Sequence, residues 1–151
     1  MSLLALCLVV AITDGDTLKA RCASADGSYE QRVVRIAAID APERAQPFGQ
    51  RARQALADLC FQKDATLEPT DVDRYGRTVA NVACQDKDVA SYMVSGGYAW
   101  VFDRYASNHK HLYPLQRAAQ SRRFGLWVDL DSAKPPVAPW QWRRQNLSAA
   151  Y

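Results

Sequence analysis

The chain has 151 residues, 48% of them hydrophobic, which is enough to build one domain (residues 1–151) around a real core. Nineteen Lys and Arg against sixteen Asp and Glu leave a net charge of +3, which permits a nucleic-acid partner without requiring one. No stretch reaches the roughly 20 apolar residues of a membrane helix, so a helical membrane span is excluded.

Residues 3–12 form a nearly continuous apolar run and predict a first strand. A leader's apolar core has a similar composition, but no basic flank precedes this run, and it continues directly into ITDGDTL. Residues 17–22 alternate and residues 33–39 are apolar again, with turn signals at DGD and SADGSYE between them, so a three-stranded meander is predicted. From Gly49 the period changes: Ala52, Ala55, Leu56, Leu59 and Cys60 share one helical face. Short strands are predicted at 65–68 and 78–84, separated by the polar loop PTDVDRYGR.

Asp88 then reads as the N-cap of a short helix stopped by Gly96-Gly97. YAWVF is long enough only for an edge segment. A third helix is predicted over about 109–123, ended by Gly125. The Pro- and Trp-rich tail, 132–151, is expected to be extended, with Trp140 and Trp142 packed on the body. The pattern is α+β: a five-stranded OB-type barrel with about three helices, whose strand order the periodicity does not set.

Four cysteines have no zinc-like spacing. If Asp14-Gly15 is a two-residue hairpin turn, Cys7 and Cys22 face each other across the first two strands and can be bridged. That leaves Cys60–Cys84. The alternative is four reduced core thiols. Two disulfides would place the chain in a periplasm or outside the cell.

Polar residues concentrate at three strand ends: DGDT (14–17), Arg35 with Asp40 to Glu43, and DRYGR (73–77). Each alone is an ordinary turn or strand end. Together they put several carboxylates near arginines. Carboxylates brought close repel unless a cation lies among them, and a hard divalent ion takes oxygen ligands. Arginines beside such a site suit a substrate that carries its own negative charge, such as a phosphodiester. His109 and His111 lie in a predicted helical region, away from these three segments.

The stretches ITDGDTL (12–18), VRIAAIDAPE (34–43) and DRYGRTVA (73–80), with GLW at 125–127, resemble the staphylococcal nuclease (thermonuclease) family across nearly the whole chain. The resemblance implies an OB-fold nuclease with one calcium ion held by Asp16, Asp40 and the backbone carbonyl of Ala41, where the family commonly has threonine. It implies Glu43 as the group that deprotonates or orients the attacking water, and Arg35 and Arg77 as the grip on the scissile phosphate. Tyr75 would lie beside the nucleotide, and Tyr105 is a candidate for a second binding tyrosine. The implied activity is low-specificity cleavage of DNA and RNA, with unpaired strands favoured and 3′-phosphate ends left, by a monomer.

The competing reading is a barrel that binds nucleic acid or protein without cutting. Asp16, Arg35, Asp40, Glu43 and Arg77 are all present, which favours the enzyme. One structural expectation follows from spacing. Arg35 and Asp40 are five positions apart and would point to opposite faces of a regular strand. For both to serve one site, as the resemblance implies, a bulge or bend between them or the strand's exit at Asp40 must re-aim one, so residues 37–39 are not expected to be an ideal straight strand.

Overall fold

A computed structural model describes residues 4–150, with side chains described through residue 146; the expected strand start at Leu3 lies outside the described residues. In chain order the elements are β1 (Ala5–Asp14), β2 (Thr17–Ala23), β3 (Tyr29–Ile36), β4 (Ile39–Asp40), α1 (Gly49–Cys60), β5 (Asp64–Val72), β6 (Thr78–Cys84), β7 (Lys87–Asp88), α2 (Val89–Ser95), β8 (Trp100–Val101), α3 (Leu112–Ser121) and α4 (Pro139–Ala150). Single 3-10 turns lie at Asp103–Tyr105 and Gly125–Asp129.

Strands β3, β2, β1, β5 and β6 lie side by side in antiparallel ladders, and β3 returns to pair with β6 in parallel. This closes five strands into a barrel and removes the exposed edges of an open sheet. On β2, Leu18, Ala20 and Cys22 are buried while Lys19 and Arg21 face water, the period-two pattern of a half-buried strand.

On β1 the pattern breaks. Cys7 and Val9 point inward, and the next buried residue is Ile12. A register shift between Val9 and Ala11 makes this change of face possible. The backbone groups of Val9 are satisfied from outside the β1–β2 ladder: its N–H donates to the Lys63 carbonyl and its carbonyl accepts from the Gln62 N–H, both at 3.0 Å.

The hairpin turn differs from expectation. Asp14 pairs with Thr17, so the two-residue turn is Gly15-Asp16 rather than Asp14-Gly15. Two register shifts in β1 then bring Cys7 opposite Cys22. Both expected bridges are present, Cys7–Cys22 and Cys60–Cys84.

Helix α1 buries Ala52, Ala55, Leu56, Leu59 and Cys60 in the same core as the barrel interior. Each fully buried leucine contributes about 2 kcal/mol relative to exposure. The helix starts against the segment that carries Glu43. A Cβ on Gly49 would lie 1.9 Å from the Glu43 carbonyl oxygen and 2.9 Å from that of Arg44. Those neighbours are backbone and have no flexible end to move aside. Gly49→Ala is expected to destabilise the fold by about 2 kcal/mol or more and to displace Glu43. Thermal unfolding checks it, and an unchanged melting temperature would refute the close approach.

The short helix α2 is capped as expected, with the Asp88 carboxylate accepting from the Ser91 N–H at 3.1 Å. Helix α3 is shorter than expected, because 109–111 form turns ahead of Leu112. The YAWVF segment pairs as β8 with β4, Val101 opposite Ile39 and Trp100 opposite Asp40.

The tail departs most from expectation: residues 139–150 are helical, not extended, giving four α-helices instead of three. Pro139 opens α4, where a missing N–H costs nothing and a fixed φ suits the first turn. Trp140 packs on the body as expected, stacked on Phe102 at 5.3 Å and edge-on to Trp100 at 5.7 Å.

Candidate active site

The site forms where β3 ends and the chain reverses. Ile36 closes β3, Ala37 and Ala38 turn with Ala38 at φ 69°, and β4 carries Ile39 and Asp40 back across. This is the bend that the spacing of Arg35 and Asp40 requires. The Arg35 guanidinium holds it, since Nη1 donates to the carbonyls of Ile36 at 2.9 Å and Ile39 at 2.8 Å. Its Nη2 lies 3.4 Å from Asp40 Oδ1 and 3.6 Å from Asp16 Oδ2. One arginine thus braces the backbone and separates two carboxylates.

Asp16 comes from the β1–β2 turn and is buried. Its Oδ1 accepts from the Thr17 hydroxyl and its Oδ2 from the Ala41 N–H, each at 2.8 Å. The turn comes this close because Gly15 has no side chain: a Cβ there would meet the Ala41 and Ala52 side chains at 2.9 and 2.8 Å. Asp40 is fully buried at 0% exposure. Burial pushes its carboxyl up to about 6, with the Arg143 hydrogen bond opposing, Asp16 raising it further and the charges of Arg35 and Arg143 lowering it.

Glu43 lies three residues on, its backbone fixed by Gln46. The Glu43 N–H donates to Gln46 Oε1 at 3.0 Å, and the Gln46 N–H returns to the Glu43 carbonyl at 2.9 Å. Gln46 is itself buried and donates to the Val137 carbonyl at 2.7 Å, which ties this loop to the segment ahead of α4.

Sequence reasoning missed Arg143, on α4. Its Nη2 donates to Asp40 Oδ2 at 2.7 Å, while Nη1 reaches Asp40 Oδ1 at 3.1 Å and Glu43 Oε1 at 2.7 Å. Asp40 foremost, then Glu43, holds Arg143 firmly in its charged form. Asp14 was also unassigned. Its carboxyl is raised by burial and then by the charges of Asp16 and Glu43.

The remaining expected residues lie apart from this cluster. Arg77 donates from Nε to Asp73 Oδ2 at 2.7 Å, and no hydrogen bond or ion pair joins it to Asp16, Asp40 or Glu43 among the described residues. Its neighbour Thr78 pairs with Val34, so Arg77 borders the strand that carries Arg35. Tyr75 sits at the tip of the β5–β6 hairpin, 68% exposed, with the guanidiniums of Arg74 and Arg77 at 5.0 and 5.4 Å from its ring centre. Tyr105 is exposed on a 3-10 turn and touches Phe102 edge-on at 5.0 Å.

Among the described residues, no group of three or more His, Cys, Asp or Glu is arranged to hold a metal. The donor set at the bend is smaller: two buried carboxylates, Asp16 and Asp40, flanking one guanidinium at 3.6 and 3.4 Å. Oxygen donors of this kind fit a hard divalent cation. The guanidinium of Arg143 already rests on both oxygens of Asp40.

Known proteins are similar to this chain along most of its length. An endonuclease, itself described as uncharacterized, from Haemophilus influenzae is 41% identical over 140 residues, covering 93% of this chain and 74% of that protein. A micrococcal nuclease of Shigella flexneri is 36% identical over 151 residues, covering 93% of this chain and 82% of its own length. The protein ParB of Escherichia coli is 37% identical over 150 residues, covering 91% and 78%. The family model for staphylococcal nuclease homologues matches residues 33–129, from within β3 through the bend, α1, the β5–β6 hairpin, α2, β8 and α3 to the 3-10 turn at Gly125–Asp129. With more than half of the chain matched and relatives this similar along most of their length, the chain belongs to the staphylococcal nuclease homologue family.

Proposed function

We propose that the chain is a calcium-dependent endonuclease that hydrolyses the phosphodiester backbones of DNA and RNA with low sequence specificity. The observation that carries this reading is the convergence of Asp16, Arg35, Asp40 and Glu43 at one strand reversal, with Arg35 ion-paired to Asp16 and Asp40 and Arg143 to Asp40 and Glu43. Family membership and relatives named as nucleases support it.

Asp16, Asp40 and the Ala41 carbonyl would hold the calcium ion. When bound, it supplies Lewis-acid polarisation of the phosphate and a more acidic bound water. Glu43 accepts a proton from the attacking water or orients it. Arg35 and Arg77 face the charge that grows on the phosphate oxygens, an interaction stronger in the transition state than in the ground state. The water oxygen adds to phosphorus and the P–O5′ bond breaks. The 5′ oxygen leaves with a proton, so the other fragment keeps a 3′-phosphate.

Recognition through backbone phosphate accounts for action on both DNA and RNA. The exposed ring of Tyr75, flanked by two arginines, suits stacking on an unpaired base. The two disulfides support an extracytoplasmic setting, and we take the enzyme to act there as a monomer.

The test is digestion of single-stranded DNA with calcium and then with EGTA, comparing the wild type with Glu43→Ser and Arg77→Gly. EGTA is expected to abolish cutting, and each substitution to lower the rate roughly 10²- to 10⁴-fold. Cutting that persists in EGTA, or full activity in both variants, overturns the mechanism.

A further inference from the structure

We propose that the outer face of the β2–β3 hairpin extends the substrate site. Lys19 and Arg21 hold backbone phosphates, and Tyr29 stacks on a base, of an unpaired nucleic-acid strand whose scissile phosphate lies at Arg35. This rests on the nuclease reading above and deepens it from a cleavage point to a track several nucleotides long.

The register of the hairpin puts these side chains on one face. Period two places Tyr29, Gln31, Val33 and Arg35 on the same side of β3. The β2–β3 ladder runs without a register shift: Arg35 lies opposite Thr17, Val33 opposite Lys19, Gln31 opposite Arg21 and Tyr29 opposite Ala23. Directly opposed residues share a face. On β2 that face is the wet one, since Lys19 and Arg21 are exposed while Leu18, Ala20 and Cys22 are buried. A polymer leaving Arg35 along the hairpin therefore meets Lys19, then Arg21, then Tyr29, over about 20 Å. That leaves room for about four nucleotides, the lower end of the site sizes of OB folds.

The two cations have no anionic partner within the protein: no ion pair among the described residues includes Lys19 or Arg21. The carboxylates of the same hairpin are engaged elsewhere. Asp26 accepts from the Ser28 N–H at 2.9 Å in the turn, and Glu30, at an alternate position, pairs with Arg32 at 3.5 Å. Arg21 instead lies over the ring of Tyr29, 5.9 Å from its centre, and Tyr29 is 70% exposed. An exposed ring backed by a guanidinium suits stacking on a base of any identity. The same pairing recurs at Tyr75 with Arg74 and Arg77. Strands β3 and β6 run parallel from Val34–Thr78, and Tyr29 and Tyr75 both precede that seam. Both tyrosines therefore stand toward the same end of the barrel, on the two strands that lead to Arg35. Contacts to phosphate and to base faces carry little sequence information, in keeping with low-specificity cutting.

The experiment is fluorescence anisotropy on the full chain, in EGTA and over a salt series, with labelled thymidine oligomers of about 12 and about 3 nucleotides. The wild type is expected to prefer the long oligomer. Lys19→Ala/Arg21→Ala is expected to shrink that preference at least roughly tenfold. It should also flatten the slope of log K against log salt by about 1.4, or about 0.7 for each of two phosphates. Tyr29→Ala is expected to shrink the preference roughly fivefold or more while keeping the salt slope. A merely structural role would weaken both oligomers alike and leave the preference unchanged, which overturns the proposal. Affinity and salt slope equal in the wild type and the double variant also overturn it. So does poly-glutamate that displaces the long oligomer as well as unlabelled DNA does, since the face would then suit an acidic protein. Cutting by the wild type in calcium, measured on the same preparations, keeps the two readings apart. If the wild type cuts, any of these three outcomes rejects the track and leaves the nuclease reading standing. If it binds with the expected preference but does not cut, the nuclease reading alone falls, and a wild type that neither binds nor cuts overturns both.

Discussion

Arg35→Ala is expected to lower the rate of DNA hydrolysis at least roughly 100-fold and folding stability by about 3 kcal/mol. The two losses have different origins in one side chain. Removing Nη1 leaves the Ile36 and Ile39 carbonyls without their donors at the bend, and buried acceptors are costly to abandon. Removing Nη2 leaves Asp16 and Asp40 facing each other with no positive charge between them. Arg35→Lys keeps the charge but cannot reach two carbonyls and two carboxylates at once, so it should restore only part of either loss. Denaturant unfolding and initial rates on the same preparations check both. A variant that is inactive yet as stable as the wild type would show that the bend does not depend on Arg35.

Loss of the two disulfides is the second large effect. The bridges close loops of 15 and 24 residues, for which chain entropy gives about 3 kcal/mol each. A total near 6 kcal/mol is a large share of the roughly 5–15 kcal/mol that holds a domain folded. Paired Cys→Ala replacement at either bridge is expected to lower the melting temperature by roughly 6–12 °C. Cys60–Cys84 should matter at least as much as Cys7–Cys22. It ties the end of α1 to the end of β6, whereas Cys7 and Cys22 sit on strands already paired. All four cysteines are buried, so reductant should act slowly on the native protein. Calorimetry with and without prior reduction checks this, together with intact mass. A melting temperature indifferent to reduction would refute it.

Local pattern made much of the fold legible. Alternation along β2, the helical face of α1 and the Asp88 cap are short-range features, and the structure keeps them. The Cys7–Cys22 pairing was reached from a turn placed one residue early; two shifts within β1 cancel that offset. Bulges of this kind depend on what packs against the strand, here the Gln62-Lys63 turn, and leave no mark in the periodicity. The bend after Ile36 was legible because the resemblance places Arg35 and Asp40 at one site while their spacing forbids them from sharing a face on a straight strand.

The tail was not legible, because its prolines read as extended while only Pro139 belongs to the helix, at its permissive first position. The contact of Arg143 with Asp40 spans 103 positions. No local rule reports such a contact; the double arginine after two tryptophans in WQWRR was the only hint.

The closure of the barrel has a kinetic consequence. Strands β3 and β6 meet through Val34–Thr78, Arg35–Val79 and Ile36–Ala80, a short seam between segments far apart in the chain. Pairings of that kind carry a loop-closure cost and tend to form late in folding. With three pairs against four or more in each other described ladder of the five-stranded barrel, this seam should be where the native barrel opens first. Arg35 lies in it. Transient unzipping there would dissolve the Asp16–Arg35–Asp40 cluster while the β1–β2 hairpin, locked by its cystine, stays intact. The integrity of that cluster would then be limited by the stability of one three-pair joint rather than by that of the whole molecule.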